Sequence, residues 1–197
     1  WDMYLCVWLM DYIVATKLRP LVLGGPVVDP EVMCDASFAS MPQKRSVKAH
    51  VAMTCPGSGA VYATVGSIKN TITSVWEGEL MAASDGSDTQ LYLSKVLKEL
   101  GYSSRKSYKV KSDSQSVLDW IDSDQNNKHS RHVDIRLYGA RHRAKDGSVH
   151  WEYVSTHENV ADLLTKSLGA AQFEYLAGKI MGHDLVAGLD IAGLVDS

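Results

Sequence analysis

Cysteine is scarce. Cys6, Cys34 and Cys55 are odd in number, widely separated and without a CxxC pair. That excludes a disulfide framework and a structural zinc site, and points to a reducing compartment. An excess of positive charge is missing as well. Twenty Lys and Arg stand against 23 Asp and Glu, a net charge of −3, so binding to a polyanion would need a local basic face. Long apolar runs are absent. MYLCVWLM (3–10) is bracketed by Asp2 and Asp11 and falls far short of the ~20 residues that span a bilayer, so no membrane partner is expected. No basic leader opens the chain, so no signal peptide is expected either. Trp1 in place of Met suggests a fragment of a longer polypeptide. Repeats and low-complexity segments are lacking. What remains is a globular composition of 197 residues, 45% apolar, enough for one domain with a full core and some appended helix.

Residues 2–17 read as a helix that is apolar on nearly all sides, through Met3, Leu5, Val7, Trp8, Leu9, Tyr12, Ile13 and Val14. Such a helix is normally buried, against the domain, against upstream sequence, or both. KLRPLVLGGPVVDP (17–30) is a Pro/Gly-punctuated connection. EVMCDASFA (31–39) reads as a strand stopping near Ala36. SVKAHVAMTC (46–55) and AVYATVGSI (60–68) are strand-like about a PGSG turn, which predicts a three-stranded antiparallel meander. Ser74-Val-Trp-Glu77 has the form of a capping box and opens a helix. Gly86 is expected to weaken that helix after Asp85. The pattern resumes as TQLYLSKVLKEL and stops at Gly101, a good residue to end a helix. SYKVKSD (107–113) alternates as a strand, SVLDWI is a short helix, and 131–144 carries apolar residues at helical spacing. VHWEYVS (149–155) is a strand, and 158–168 and 171–181 are helices. The order βββ, α, β, α, α, β, α implies an α/β mixed sheet with helices on its faces. The tail 183–197 has no assignment.

Four carboxylates fall where a side chain can project over such a sheet. Asp35 lies inside an apolar strand, where an unpaired carboxylate costs several kcal/mol. Asp113 closes the fourth strand, and Asp162 lies in a late helix. Glu77 and Glu79 are two apart and cannot share a helix face. The capping box occupies Glu77, which leaves Glu79 for a site. Taken singly, Asp113 reads equally as a cap and Asp162 as a solvated residue. Together the four suit hard divalent cations that prefer oxygen ligands. Unneutralised, they would repel one another and raise each other's pKa. Two Mg²⁺ ions about 3.5–4 Å apart would quench that charge and form a phosphodiester-cleaving centre.

The segments CDASFA, RSVKAHV, EGELMAASDG, YLSKVLKELGY, SDSQSVLDWI, HSRHVDIRLYGAR, EYVSTHENVADLLTKSL and QFEYLAGKIMG occur in this order. Through them the chain resembles the ribonuclease H region of copia-type retrotransposon Pol polyproteins, over about residues 2–182. HVDIR and ADLLTK are its more specific signatures. The resemblance implies a ribonuclease H-like fold with a five-stranded mixed sheet, an antiparallel meander followed by parallel strands, flanked by helices. It divides the chain into residues 1–30, a helix and linker from the end of the reverse transcriptase and connection region; 31–168, the nuclease domain; and 169–197, a C-terminal helix and tail. It implies hydrolysis of the RNA strand of RNA–DNA hybrids with two Mg²⁺, or Mn²⁺ in their place. Its acids fall on Asp35, Glu79, Asp113 and Asp162 of this sequence. Asp35 would bridge both ions, Glu79 and Asp113 would complete one shell, and Asp162 the other. The expected setting is a cytoplasmic virus-like particle or the nucleus, with the upstream reverse transcriptase portion of the polyprotein as partner.

Several features depart from the family. Ser37 replaces an acid often seen there, and Gly78 and Gly86 interrupt a helix that is usually rich in Ala. No Tyr-x-Asp-Asp stretch is present, so this chain by itself is not expected to polymerise. A catalytically inactive module with a structural or protein-binding role is the competing reading. An integrase-like DNA-cutting relative fits less well.

His157, five residues before Asp162, is a candidate proton shuttle or product-release group; an exposed loop histidine is the alternative. Residues 128–145 concentrate Lys128, Arg131, Arg136, Arg141, Arg143 and Lys145 with Asp134 as the opposing acid. That is a candidate phosphate-tracking face, or else a solvated amphipathic helix. Ser114, Gln115 and Ser116, beside Asp113, are candidate partners for the 2′-hydroxyls of a hybrid. Trp120 and Trp151 read as core residues.

Overall fold

Six consecutive residues, Glu31 to Ala36, are buried. A strand hidden on both faces belongs at the centre of a sheet, and that is where β1 (Glu31–Met41) lies. The computed structural model describes residues 3–25, 28–41, 45–69, 72, 74–102, 108–123 and 138–184. Within them β2 (Arg45–Met53) and β3 (Ala60–Ser67) complete an antiparallel meander with β1. On its other side β1 runs parallel to β4 (Tyr108–Ser112), which runs parallel to β5 (Val149–Tyr153). The order is β3-β2-β1-β4-β5, the five-stranded mixed sheet that was expected.

Alternation along β1 splits its side chains between two layers, because successive residues of a strand point to opposite faces. Val32, Cys34 and Ala36 join the larger core, with Leu80, Ala82 and Ala83 of α2 (Val75–Glu99), Val117, Trp120 and Ile121 of α3 (Gln115–Asp122), and Ala140 of α4 (Tyr138–Lys145). Met33 belongs to a smaller core with Val51, Met53, Val160, Ala161 and Leu176, under α5 (Asp162–Thr165) and α6 (Ala170–Ile180).

Helix α2 is continuous through Gly86, against the expected interruption. A Cβ built at Gly86 would lie 3.4 Å from both the Cys34 Cβ and the Val32 Cγ1. That is ordinary van der Waals contact, and the burial of Leu80, Ala82 and Ala83 against the sheet carries the helix through the glycine despite its propensity cost of ~1 kcal/mol. The ends of α2 follow expectation. The Ser74 hydroxyl accepts from the Glu77 amide at 3.2 Å. Gly101 takes φ +86°, with its amide on the Lys98 carbonyl and the Tyr102 amide on the Leu97 carbonyl, a Schellman ending.

Two other expectations change. Residues 158–168 contain a single helical turn, α5, and Lys166 is already extended. The Asn159 side chain bonds the Ala161 amide and the Cys34 carbonyl, which ties the segment to the sheet and withholds it from a longer helix. The apolar helix α1 (Met3–Thr16) is not buried: Met3, Tyr4, Val7, Trp8, Leu9, Met10, Ile13 and Val14 are 49–87% exposed. Its ring contact with the domain is Tyr12 edge-on to Phe173 of α6. No helix among the described residues is long and apolar enough to cross a membrane.

Candidate metal centre

Parallel pairing of β1 and β4 builds the site. The last paired residues are Cys34 and Ser112. Asp35 and Asp113 are the next residue on each chain, so their side chains leave neighbouring backbones about 4.8 Å apart. Asp35 has Met33's orientation along β1, toward α5, and is fully buried. Glu79, one turn into α2, is also buried. Single oxygens of Asp35, Glu79 and Asp113 all lie within 4.8 Å of one another.

Asp162 joins this group through a residue the sequence reading did not single out. Lys166 Nζ lies 2.8 Å from Asp162 Oδ1, 3.0 Å from Asp35 Oδ1 and 3.9 Å from Asp113 Oδ2. Thr165 donates its hydroxyl to the other oxygen of Asp35. Thr156 donates to Asp113 Oδ2 at 2.8 Å, and the Asn159 amide reaches Asp113 Oδ1 at 3.4 Å and the Cys34 carbonyl at 3.0 Å. The readable signal for Lys166 was its spacing of four from Asp162, within the quoted ADLLTK.

Crowding and burial shift these acids strongly. Burial pushes the Glu79 carboxyl up to about 8, with the charges of Asp35 and Asp113 adding to it and Lys166 and the Ala36 amide opposing. Asp162 is raised to about 6, again by burial first, with Lys166 opposing and Asp35 adding. Asp35 is raised by burial against the pull of Thr165 and Lys166. Burial acts to lower Lys166, yet its hydrogen bonds and the charges of Asp162 and Asp35 hold it above the ordinary lysine value. Glu79 Oε2 is buried with no hydrogen-bond partner. The donor set fits divalent metal: three converging carboxylates, one oxygen free, and a cation already drawn among them.

The other expected site residues are placed less centrally. Ser114 precedes α3, and Gln115 and Ser116 open it, both exposed beside Asp113. His157 is exposed on the turn before Asp162, its carbonyl held by Gln172. Lys128, Arg131 and Arg136 lie outside the described residues. Arg141 does not belong to a phosphate-tracking face. It is 6% exposed, stacked 3.8 Å over the Trp120 ring, and donates to the Trp120 carbonyl at 2.6 and 3.1 Å. Arg143 bonds Ser87 and Asp88 of α2. Trp120 and Trp151 do pack in the core.

The chain is 30% identical over 167 residues to the retrovirus-related Pol polyprotein from transposon TNT 1-94 of Nicotiana tabacum, covering 85% of this chain and 12% of the relative. The fold is similar to the N-terminal RNase H domain of rv2228c from Mycobacterium tuberculosis, at 16% identity, 76% of this chain, 96% of that one and a TM-score of 0.51. In sequence the chain is thus similar to a stretch of a retrotransposon Pol polyprotein, and in fold to ribonuclease H domains. LC11-RNase H1, isolated from compost, shares the fold at 14% identity, 70% of this chain, 93% of that one and a TM-score of 0.52. The same enzyme in complex with an RNA/DNA hybrid matches at 13% identity, 68% and 92% coverage and a TM-score of 0.50. No protein-family model matches the chain. The domain thus spans about an eighth of the Pol relative's length.

Proposed function

We propose that the domain is a metal-dependent endonuclease that hydrolyses the RNA strand of RNA–DNA hybrids, in the manner of copia-type retrotransposon ribonucleases H. The observation that carries this is the convergence of Asp35, Glu79 and Asp113 oxygens within 4.8 Å, where the middle of β1 passes the carboxyl end of β4, on a ribonuclease H fold. Asp35, Glu79, Asp113 and Asp162 would hold two Mg²⁺ ions. Such ions supply charge neutralisation and activation of water toward a phosphodiester.

The chain's own residues prepare that chemistry. Thr156 and Asn159 each hold one oxygen of Asp113, which fixes the carboxylate. Thr165 fixes Asp35 in the same way. The buried setting lowers the local dielectric, so each charge acts more strongly on a bound phosphate than it would in water. Ser114, Gln115 and Ser116 present hydroxyl and amide groups at the rim next to Asp113. Those are suitable partners for the 2′-hydroxyls exposed in the shallow groove of a hybrid. The upstream reverse transcriptase portion of the polyprotein would deliver the hybrid.

The test is cleavage of an end-labelled RNA–DNA hybrid. The domain should cut the RNA strand in Mg²⁺, leave the DNA strand intact, and stop in EDTA. Asp113→Asn should lose at least ~100-fold in rate, the scale of a lost electrostatic group in an active site. A well-folded wild-type domain that leaves the hybrid uncut in both Mg²⁺ and Mn²⁺ would overturn the proposal in favour of an inactive scaffold.

A further inference from the structure

Lys166 places its ammonium among the carboxylates. Its Nζ lies 3.0 Å from Asp35, 2.8 Å from Asp162 and 3.9 Å from Asp113, bridging β1, the end of β4 and α5. Glu79, within 4.8 Å of Asp35 and Asp113, is 8% exposed, with Oε2 unpartnered. The ammonium lies within 4 Å of three of the four acids, and the fourth keeps one oxygen without a hydrogen-bond partner. An ammonium and a magnesium ion seek the same oxygens, at about 2.8 Å and about 2.0–2.1 Å respectively. Both cannot take the Asp35 and Asp162 oxygens together at those distances. Lys166 is also placed to leave. It follows α5 in extended backbone, its side chain is 32% exposed, and its four-carbon stem is flexible.

We propose that Lys166 is a resident cation of this centre: it holds Asp35 and Asp162 together in the metal-free domain and must swing out before the Asp162 side accepts a divalent ion. Resting on the nuclease reading for the identity of the centre, this makes metal loading sequential. An ion at Asp35, Glu79 and Asp113 binds with Lys166 in place. An ion shared by Asp35 and Asp162 binds in competition with it. The ammonium thus sets both the number of ions held at limiting metal and the affinity for the second.

Calorimetric titration of Mg²⁺ and Mn²⁺ into the apo domain tests this, run beside thermal melts in EDTA. Lys166→Met keeps the stem and removes the charge. It should melt lower than wild type without metal, gain more melting temperature on adding Mn²⁺, and bind the weaker ion roughly tenfold or more tightly, the scale of one removed competing charge. Lys166→Arg, which keeps the charge, should keep the metal-free melting temperature and leave the second ion weak. Should Lys166→Met prove too unstable in EDTA, the same comparison is made by displacing Mn²⁺ with chelator from protein folded in its presence. Unchanged second-site affinity in Lys166→Met, or weaker affinity, overturns the inference while leaving the nuclease reading intact. Absence of divalent binding in wild type and variants alike removes both.

Discussion

Gly182 abuts the carbonyl of Val22. A Cβ at Gly182 would fall 2.2 Å from that oxygen and 2.4 Å from the Gly59 nitrogen, and its φ is +78°. The contact joins three segments. The Val22 amide bonds the Met181 carbonyl at the end of α6, and the Gly59 amide bonds the Val22 carbonyl at 2.7 Å. The Pro/Gly-rich connection ahead of β1 is therefore docked between the β2–β3 turn and α6. Gly182→Ala should cost roughly 2 kcal/mol or more, from backbone strain and a clash with backbone that cannot give way. Urea unfolding measures it, and a loss within 0.5 kcal/mol would contradict the docking.

The metal-free domain should lose stability as the solution becomes alkaline. Glu79 titrates near 8 in the folded state against 4.5 in a free chain. Its raised value means that the native state prefers the protonated form. That contribution is complete below the unfolded pKa and vanishes as pH rises through about 8. Asp162, raised to about 6, acts in the same sense over a lower range. His50 opposes them, because burial lowers its pKa from 6.5 and it adds stability until pH passes that value. The clean window is thus from about pH 6.5 to about pH 9. Melting temperature in EDTA should fall across it, and Glu79→Gln or excess Mg²⁺ should flatten the slope. A flat wild-type profile would mean that the Glu79 carboxyl is not crowded as described.

Arg141 should behave as a structural residue and not as a phosphate contact. Its guanidinium covers Trp120 and bonds the Trp120 carbonyl and the Ser123 hydroxyl. Arg141→Gln should lower stability by about 2 kcal/mol through lost stacking and buried hydrogen bonds. The salt dependence of hybrid binding should not change, since no phosphate contact is removed. A slope reduced by about one in log affinity against log salt would instead return Arg141 to the binding face.

What could be read in advance depended on whether local sequence carried the information. Asp35 was legible because an acid inside an apolar strand needs a reason. Glu79 was legible because the Ser74 cap leaves Glu77 a local role. The meander and the mixed character of the sheet followed from the succession of strand and helix patterns. Gly86 misled because propensity is local, whereas the packing of α2 against Val32 and Cys34 that carries the helix through it is tertiary. Residues 158–168 kept helical spacing, yet Asn159 bonds to β1 across 125 positions of sequence, which no periodicity reports. Arg141 was misplaced for a related reason. Helical spacing marks which residues share a face, but not which long polar side chain folds inward over an aromatic ring.

Asn159 should prove as important to Asp113 as any residue of the acidic group. It is fully buried, and one side chain spans three elements. It donates to the Cys34 carbonyl on β1 and toward Asp113 after β4, and accepts from the Ala161 amide ahead of α5. Replacing it by Ala leaves those groups without their partner inside the fold, at a cost of about 2–3 kcal/mol. Asn159→Asp keeps the acceptor for Ala161 but sets a second carboxylate against Asp113. In EDTA it should therefore be the less stable of the two variants near pH 8, and the one that Mg²⁺ restores more. Paired urea titrations with and without Mg²⁺ measure both effects. Equal stability of both variants and wild type in EDTA would show that Asn159 does not hold the Asp113 carboxylate.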